Sequence, residues 1–264
     1  MIIDLTGRRA VITGSTAGIG RATAVGLARA GASIVINGSR ASRVTEAVDE
    51  MRQEFPGCDI TGVVADLATA EGAASLFAQA SDADILVNNV GTGWWESFAH
   101  LTDDDWLMIF QLNVMSGIRM TRHFLPGMVE RGWGRVVFVS SESAVNIPPD
   151  MIHYGMTKTA QLAVSRGVAE TVAGSGVTVN AVLPGPTRSE IMTNVMAAQS
   201  EADGISQEEA ETAFLKANRP TTLIKRFATT DEVANMIVYV YSEQASATTG
   251  AALRVDGGVV RFAA

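Results

Sequence analysis

The sequence predicts a single doubly wound α/β domain: a mostly parallel, seven-stranded sheet with helices on both faces. Three observations lead there. Short apolar, β-branched runs alternate with longer amphipathic stretches along nearly the whole chain. Several of those runs are continuously apolar, the pattern of strands buried on both faces. The first run ends in the glycine-rich turn Thr13-Gly14-Ser15-Thr16-Ala17-Gly18-Ile19-Gly20, which opens a helix.

The first strand is placed at Arg9–Thr13, followed by a helix over Ile19–Arg29. The strand Ser33–Asn37 and the helix Ser42–Glu54 come next, then the strands Ile60–Ala65 and Asp84–Asn88. A long helix is expected over Asp103–Glu130, because Thr102 can cap it and acidic residues fill its first turn. The remaining strands are Arg135–Ser140, Thr178–Leu183 and Ala251–Val255, with a helix over Tyr154–Val172. Residues 187–225 break this rhythm. An insert at the carboxyl end of a strand is where such folds carry substrate contacts, so this one is expected to be a helical substrate lid. With no linker or repeat, residues 1–264 are read as one dinucleotide-binding and catalytic domain.

Composition excludes several classes. Of 264 residues, 47% are hydrophobic and 18% charged, enough for a well-buried enzyme core. A net charge of −8 argues against a general nucleic-acid or membrane-surface binder. Cys58 is the sole cysteine, so no internal disulfide or thiolate metal cluster can form. His100, His123 and His153 lack ligand spacing and are read as structural, and no metal is expected. The start of the chain runs into a strand without a leader pattern, and no apolar run reaches the ~18 residues of a membrane span. A cytoplasmic location is therefore expected.

Two local patterns carry chemistry. The glycine turn between strand and helix permits close backbone approach of a pyrophosphate, and the helix N-terminus offers unpaired N–H groups. In Tyr154-Gly-Met-Thr-Lys158, residues four apart share a helix face, and Ser141 lies thirteen residues upstream. A phenol, an ammonium and a hydroxyl can move a proton while a hydride moves to or from a carbonyl carbon. Lys158 is expected to lower the Tyr154 pKa; bringing a phenol from ~10 to neutrality requires ~4 kcal/mol.

Taken in order, the glycine turn, Asn88-Asn89-Val90-Gly91, Asn113, Ser141, Tyr154-x-x-x-Lys158, Pro184-Gly185 and Val255-Asp256-Gly257-Gly258 resemble the short-chain dehydrogenase/reductase family. The likeness extends from Gly7 to Gly258 and is nearest in pattern to 3-oxoacyl-[acyl-carrier-protein] reductases and their sugar and polyol dehydrogenase cousins. It implies a Rossmann-type fold and a role for each matching position. Gly14, Ser15, Thr16, Gly18, Ile19 and Gly20 would line the pyrophosphate. Asp66 and Leu67 would contact the adenine, with Asp66 also a candidate helix cap. Asn88, Asn89 and Gly91 would form the wall beside the adenosine ribose, and Pro184, Gly185 and Thr187 would hold the nicotinamide end.

The resemblance also assigns the catalytic set. Ser141 would orient the substrate oxygen, Tyr154 would be the general acid or base, and Lys158 would hold the nicotinamide ribose. Asn113 would kink its helix and free a carbonyl for a water in the proton relay. The end of the second strand, Asn37-Gly38-Ser39-Arg40, has no acid to bind a ribose 2′-hydroxyl, and Ser39 and Arg40 can donate to a phosphate. NADP(H) is therefore favoured over NAD(H). Trp94, Trp95, Ile147, Pro148, Pro149, Met192 and Met196 are candidates for an apolar substrate mouth. Arg188 is read either as an anchor for a substrate anion or as an exposed lid residue.

The function implied is interconversion of a carbonyl and a secondary alcohol. Candidate substrates are a 3-oxoacyl thioester, a sugar or polyol, and a hydroxy acid. Arg131 could dock an acidic carrier protein, but Gly174-Ser175-Gly176 supplies no second arginine. A lyase or epimerase using the same tyrosine, or a non-catalytic nucleotide-binding scaffold, is the reading from another class. The resemblance further implies a homodimer or homotetramer.

Overall fold

The computed structural model describes residues 2–263. Its strands are β1 (Arg9–Ile12), β2 (Ser33–Gly38), β3 (Ile60–Val64), β4 (Ile85–Asn88), β5 (Gly134–Val139), β6 (Val177–Pro184) and β7 (Ala252–Val255). All pair in parallel, in the order β3-β2-β1-β4-β5-β6-β7. Successive strand residues point to opposite faces, which explains the unbroken apolar runs. Ala10, Ile12, Ile34, Ile36, Ile85 and Val87 enter one core. Val11, Val35, Leu86, Val136 and Phe138 enter the other.

Helices α1 (Gly18–Arg29), α2 (Ala41–Glu54) and α9 (Thr230–Tyr241) cover the first core. Helices α3 (Ala70–Gln79), α5 (Ser116–Glu130) and α6 (Ile152–Thr171) cover the second. Tyr241 ties α9 to the sheet by donating its hydroxyl to the Leu86 carbonyl at 3.1 Å. Among the described residues, no helix is long and apolar enough to cross a membrane.

The single helix expected over 103–130 is instead two helices. Helix α4 (Asp103–Phe110) and α5 are joined by one π-helical turn, Gln111–Met115. Thr102 caps α4 as expected, in a reciprocal pair with Asp105. Helices α3 and α9 are elements the sequence reading did not place. The insert holds two helices, α7 (Glu190–Asp203) and α8 (Gln207–Asn218), capped by Ser189 and Ser206. Met196, Leu215 and Phe227 pack together beneath them.

The sheet order reverses between β1 and β4. At such a switch point the two connections leave in opposite directions and open a crevice at the carboxyl ends of the strands. The turns after β1, β4, β5 and β6 meet there, bringing residues from four distant parts of the chain to one edge.

Candidate active site

The turn from β1 into α1 is held from beneath. Asn37 accepts the Gly14 N–H at 3.2 Å and donates to the carbonyls of Val63 and Ala65, both at 3.2 Å. Asn89 donates to the carbonyls of Thr13 and Gly14, at 3.0 and 2.9 Å. Gly14 and Gly18 adopt φ of 59° and 60°, where a side chain is strained. A Cβ on Gly20 would lie 2.6 Å from both the Gly14 carbonyl oxygen and the Asn89 amide. No side chain caps the start of α1, so its first N–H groups are left for an anion.

A cavity of about 550 Å³ opens over this turn, with Thr16, Gly18, Ser39, Arg40, Asp66 and Leu67 among its lining residues. Arg43, not anticipated from sequence, also lines it and pairs with Glu190 at the start of α7. An uncapped helix start, glycines with no room for a side chain and two arginines at the far end together fit a phosphate-bearing dinucleotide.

Three residues expected at this cavity, Ser15, Gly20 and Asn88, do not line it, and Asp66, which does, is not the helix cap. Ser15 is buried under the turn, donating to the Ile12 carbonyl at 2.7 Å and accepting from the Asn37 N–H at 3.1 Å. Gly20 lies buried beneath Gly14, where it makes room rather than contact. Asn88 turns away toward α5 and donates to Thr121 at 3.0 Å, while Asn89 and Gly91 face the opening. The cap of α3 is Thr69, not Asp66; Asp66 accepts from the Ala68 N–H at 3.0 Å.

A second cavity of about 290 Å³ adjoins the first, and the two share Asn89, Gly91, Ser189 and Ile191. Ser141, Tyr154 and Lys158 line it together, as do Ile19, Pro184, Gly185 and Thr187. The Lys158 amine donates to the Val139 carbonyl at 2.9 Å and to the Gln161 side-chain oxygen at 3.4 Å. Burial lowers its pKa to about 8.

Tyr154 differs from expectation. The Lys158 amine lies 5.6 Å from its ring centre, and desolvation in the cleft dominates. Its pKa is pushed up to about 12, with the Ser141 hydrogen bond opposing, the Glu142 charge adding and the Arg219 charge opposing. The ring still opens onto the cavity and is partly exposed. Tyr154 is therefore held as a neutral phenol, the form that donates a proton.

Asn113 sits in the π turn, buried, with its side chain bonded to both backbone groups of Thr92 at 2.8 Å and to Thr157 at 3.0 Å. The extra residue in a π turn takes carbonyls out of the ordinary helical ladder. The Asn113 carbonyl is not left open to water alone, because Gln161 donates to it at 2.6 Å.

Of the substrate candidates, Trp95 and Met192 line the second cavity. Trp94 instead packs on His153, ring centres 4.3 Å apart. Ile147 is exposed beside Gly155, Pro149 is exposed, and Pro148 is buried in the turn that ends at Met151; none lines the cavity. Met196 belongs to the packing beneath α7 and α8. Arg188 is spent on a two-pronged pair with Glu211. Arg131 holds Ala83 and Asp84 at the start of β4, at the amino-terminal ends of the strands and opposite the cavities at their carboxyl ends.

Sequence reasoning missed Glu142, Gln161, Arg219 and Phe214. Gln161 had a signal, since it lies one helical turn beyond Lys158. Glu142 had one too, being an acid directly after Ser141. Arg219 had none, because its partner Glu142 is 77 residues away.

Comparison with known proteins gives a consistent picture. Residues 14–260 match the family described as enoyl-(acyl carrier protein) reductase. The chain is 41% identical over 261 residues to the oxidoreductase YvaG of Bacillus subtilis, covering 99% of each. It is 32% identical to the 3-oxoacyl-[acyl-carrier-protein] reductase FabG of Aquifex aeolicus, over 98% of this chain and 100% of that one. L-sorbose reductase of Gluconobacter frateurii, solved with NADPH and L-sorbose, superposes with a TM-score of 0.93 at 33% identity, over 99% of this chain and 100% of that one. The chain belongs to the short-chain dehydrogenase/reductase family, oxidoreductases that interconvert carbonyls and secondary alcohols with a nicotinamide cofactor.

Proposed function

We propose that the protein is an NADP(H)-preferring oxidoreductase that reduces the carbonyl of a free, small to medium-sized substrate, or oxidises the corresponding alcohol. One observation carries this reading: the Ser141, Tyr154 and Lys158 side chains line a single cavity that is continuous with the dinucleotide-sized one. The bound nicotinamide supplies or accepts the hydride. Ser141 orients the substrate oxygen, and Tyr154 donates the proton to it on reduction, its neutral state suiting this direction. Lys158 binds the nicotinamide ribose, and Asn113 fixes the turn against which Lys158 and Gln161 pack. Gly14, Thr16, Gly18 and Ile19 receive the pyrophosphate, Leu67 and Asp66 the adenine, and Thr187 the carboxamide.

The NADP(H) preference is supported by Ser39, Arg40 and Arg43 at the end of the first cavity, and by the NADPH found with L-sorbose reductase. Helices α7 and α8 act as the lid, contributing Met192 and Phe214 to the substrate wall. A free substrate is favoured over a carrier-bound one because Arg131 lies at the amino-terminal end of β4, away from the cavities at the carboxyl ends of the strands. Exposed Leu107 and Met108 on α4 support pairing of two copies through the α4–α5 face.

The test is a cofactor-absorbance screen of ketones, acyl thioesters and polyols with NADPH, NADH and their oxidised forms. Turnover with NADPH at least ~10-fold more efficient than with NADH is expected. Tight NADPH binding without turnover of any substrate would favour the scaffold reading instead.

A further inference from the structure

Besides Tyr154, three ionisable side chains line the substrate cavity: Glu142, Lys158 and Arg219. Lys158 is committed to the reacting end, on the Val139 carbonyl. The other two form a pair at the side of the cavity, between the loop after β5 and the end of α8. Glu142 is 3% exposed, and the Arg219 side chain 14%. One Glu142 carboxylate oxygen, Oε2, accepts from the Ser141 hydroxyl at 2.6 Å, the Ser143 N–H at 2.7 Å and the Ser143 hydroxyl at 3.0 Å. The other, Oε1, accepts from Arg219 Nε. Arg219 Nη1 donates to the Asn218 carbonyl at 2.8 Å, while Nη2 has a long 3.5 Å contact to Ser143.

Glu142 Oε1 thus has a lone pair to spare, and Arg219 Nη2 has donor capacity to spare. The wall presents an acceptor and a donor side by side with no net charge. A hydroxyl both donates and accepts, so it can satisfy both groups at once. A carboxylate only accepts; to reach Arg219 it must lie against the Glu142 carboxylate in a cleft where like charges repel strongly. Arg188, the other arginine at the start of the insert, is taken by Glu211 and does not line the cavity.

We propose that the Glu142–Arg219 pair is a specificity-determining wall. It selects uncharged substrates that carry a hydroxyl near the reacting carbon, such as hydroxyketones, ketoses and the corresponding polyols, and it discriminates against keto acids. This rests on the carbonyl–alcohol reading above and narrows it. Ser141 Oγ lies 2.6 Å from Glu142 Oε2. When its one hydroxyl hydrogen turns from that carboxylate to the substrate carbonyl, the hydroxyl recognised by the pair lies close in the substrate to that carbonyl. Trp95, Met192 and Phe214 leave apolar room for the remainder of the molecule.

The experiment compares kcat/KM with NADPH for hydroxyacetone, acetone and pyruvate and for their longer homologues. Three proteins are used: wild type, Glu142→Gln, and the double variant Glu142→Gln/Arg219→Gln, in which neither charge is left unpaired. NADPH titration of each protein reports an intact cofactor site. Selectivity ratios within one protein cancel any general loss of turnover. The wild type is expected to favour the hydroxyketone over the plain ketone by ~10–100-fold, and over the keto acid by more. Glu142→Gln frees Arg219 and should raise the keto acid relative to the hydroxyketone by ~10-fold or more, while the double variant should lose both preferences. A wild type that favours the keto acid, or ratios unchanged in both variants, would overturn the assignment while leaving carbonyl reduction standing. No cofactor oxidation with any member of the set or of the wider ketone panel would overturn both.

Discussion

Gln161 donates its side-chain amide to the backbone carbonyl of Asn113 at 2.6 Å, across 48 residues of chain. Its oxygen faces the Lys158 amine at 3.4 Å. One buried side chain thus joins the π turn of the α4–α5 region to the helix bearing Tyr154 and Lys158. Gln161→Leu leaves that carbonyl without its partner, at a cost of ~1–3 kcal/mol. For a chain of this size the melting temperature should fall by ~2–4 °C per kcal/mol. We expect kcat to fall ~10-fold with little change in substrate KM, measured by steady-state kinetics beside thermal melting. Full activity after the expected loss of stability would limit Gln161 to packing.

The parts of this site legible in the sequence are those built from local contacts. The glycine turn is set by residues within one strand-to-helix connection, and Tyr154 and Lys158 are one helical turn apart. The central strands were legible because they are buried on both faces and read as apolar runs, as in β4, β5 and β6. The edge strands β3 and β7 are partly exposed and were placed by their position in the alternation of strands and helices. The Glu142–Arg219 pair was not, because it closes between elements 77 residues apart. Nor could the sequence say which way a strand end faces. Asn88 and Asn89 are neighbours, yet Asn88 bonds Thr121 beneath the sheet while Asn89 braces the cofactor turn. Ser15 sits in the glycine turn, and only the fold shows its hydroxyl pointing back at Ile12.

Arg40 is exposed at the end of β2, and Arg43 pairs with Glu190 beside it. Arg40→Ala should weaken NADPH binding ~10-fold or more while changing NADH binding little, since a guanidinium–phosphate contact is lost in one case only. Arg43→Ala should weaken NADPH in the same way and also loosen the start of α7. Fluorescence titration with both cofactors checks this. An equal effect on NADPH and NADH would mean that neither arginine reads a 2′-phosphate.

Lys158 gives a pH signature with two opposite signs. Its pKa is about 8 in the folded protein against 10.5 for an ordinary lysine. Between those values the unfolded chain binds the extra proton, so the contribution of Lys158 to stability rises with pH across that window. Over the same window the folded protein loses the ammonium that holds the cofactor, so NADPH affinity should fall. Urea denaturation and NADPH titration, each as wild type minus Lys158→Met, should show stability rising and affinity falling above pH ~8. A difference that is flat in both would place the Lys158 pKa outside this range.

The claim on which the account turns is that the Tyr154 hydroxyl moves the proton while hydride passes between cofactor and substrate. Tyr154→Phe keeps the ring and removes that one oxygen. The direct measurement is the rate of NADPH oxidation by this variant with the best ketone substrate, beside its NADPH dissociation constant. The rate should drop by ~10²–10⁴-fold, the span of general acid–base catalysis, with cofactor affinity nearly unchanged. A Tyr154→Phe enzyme that turns over within a few-fold of wild type would contradict it.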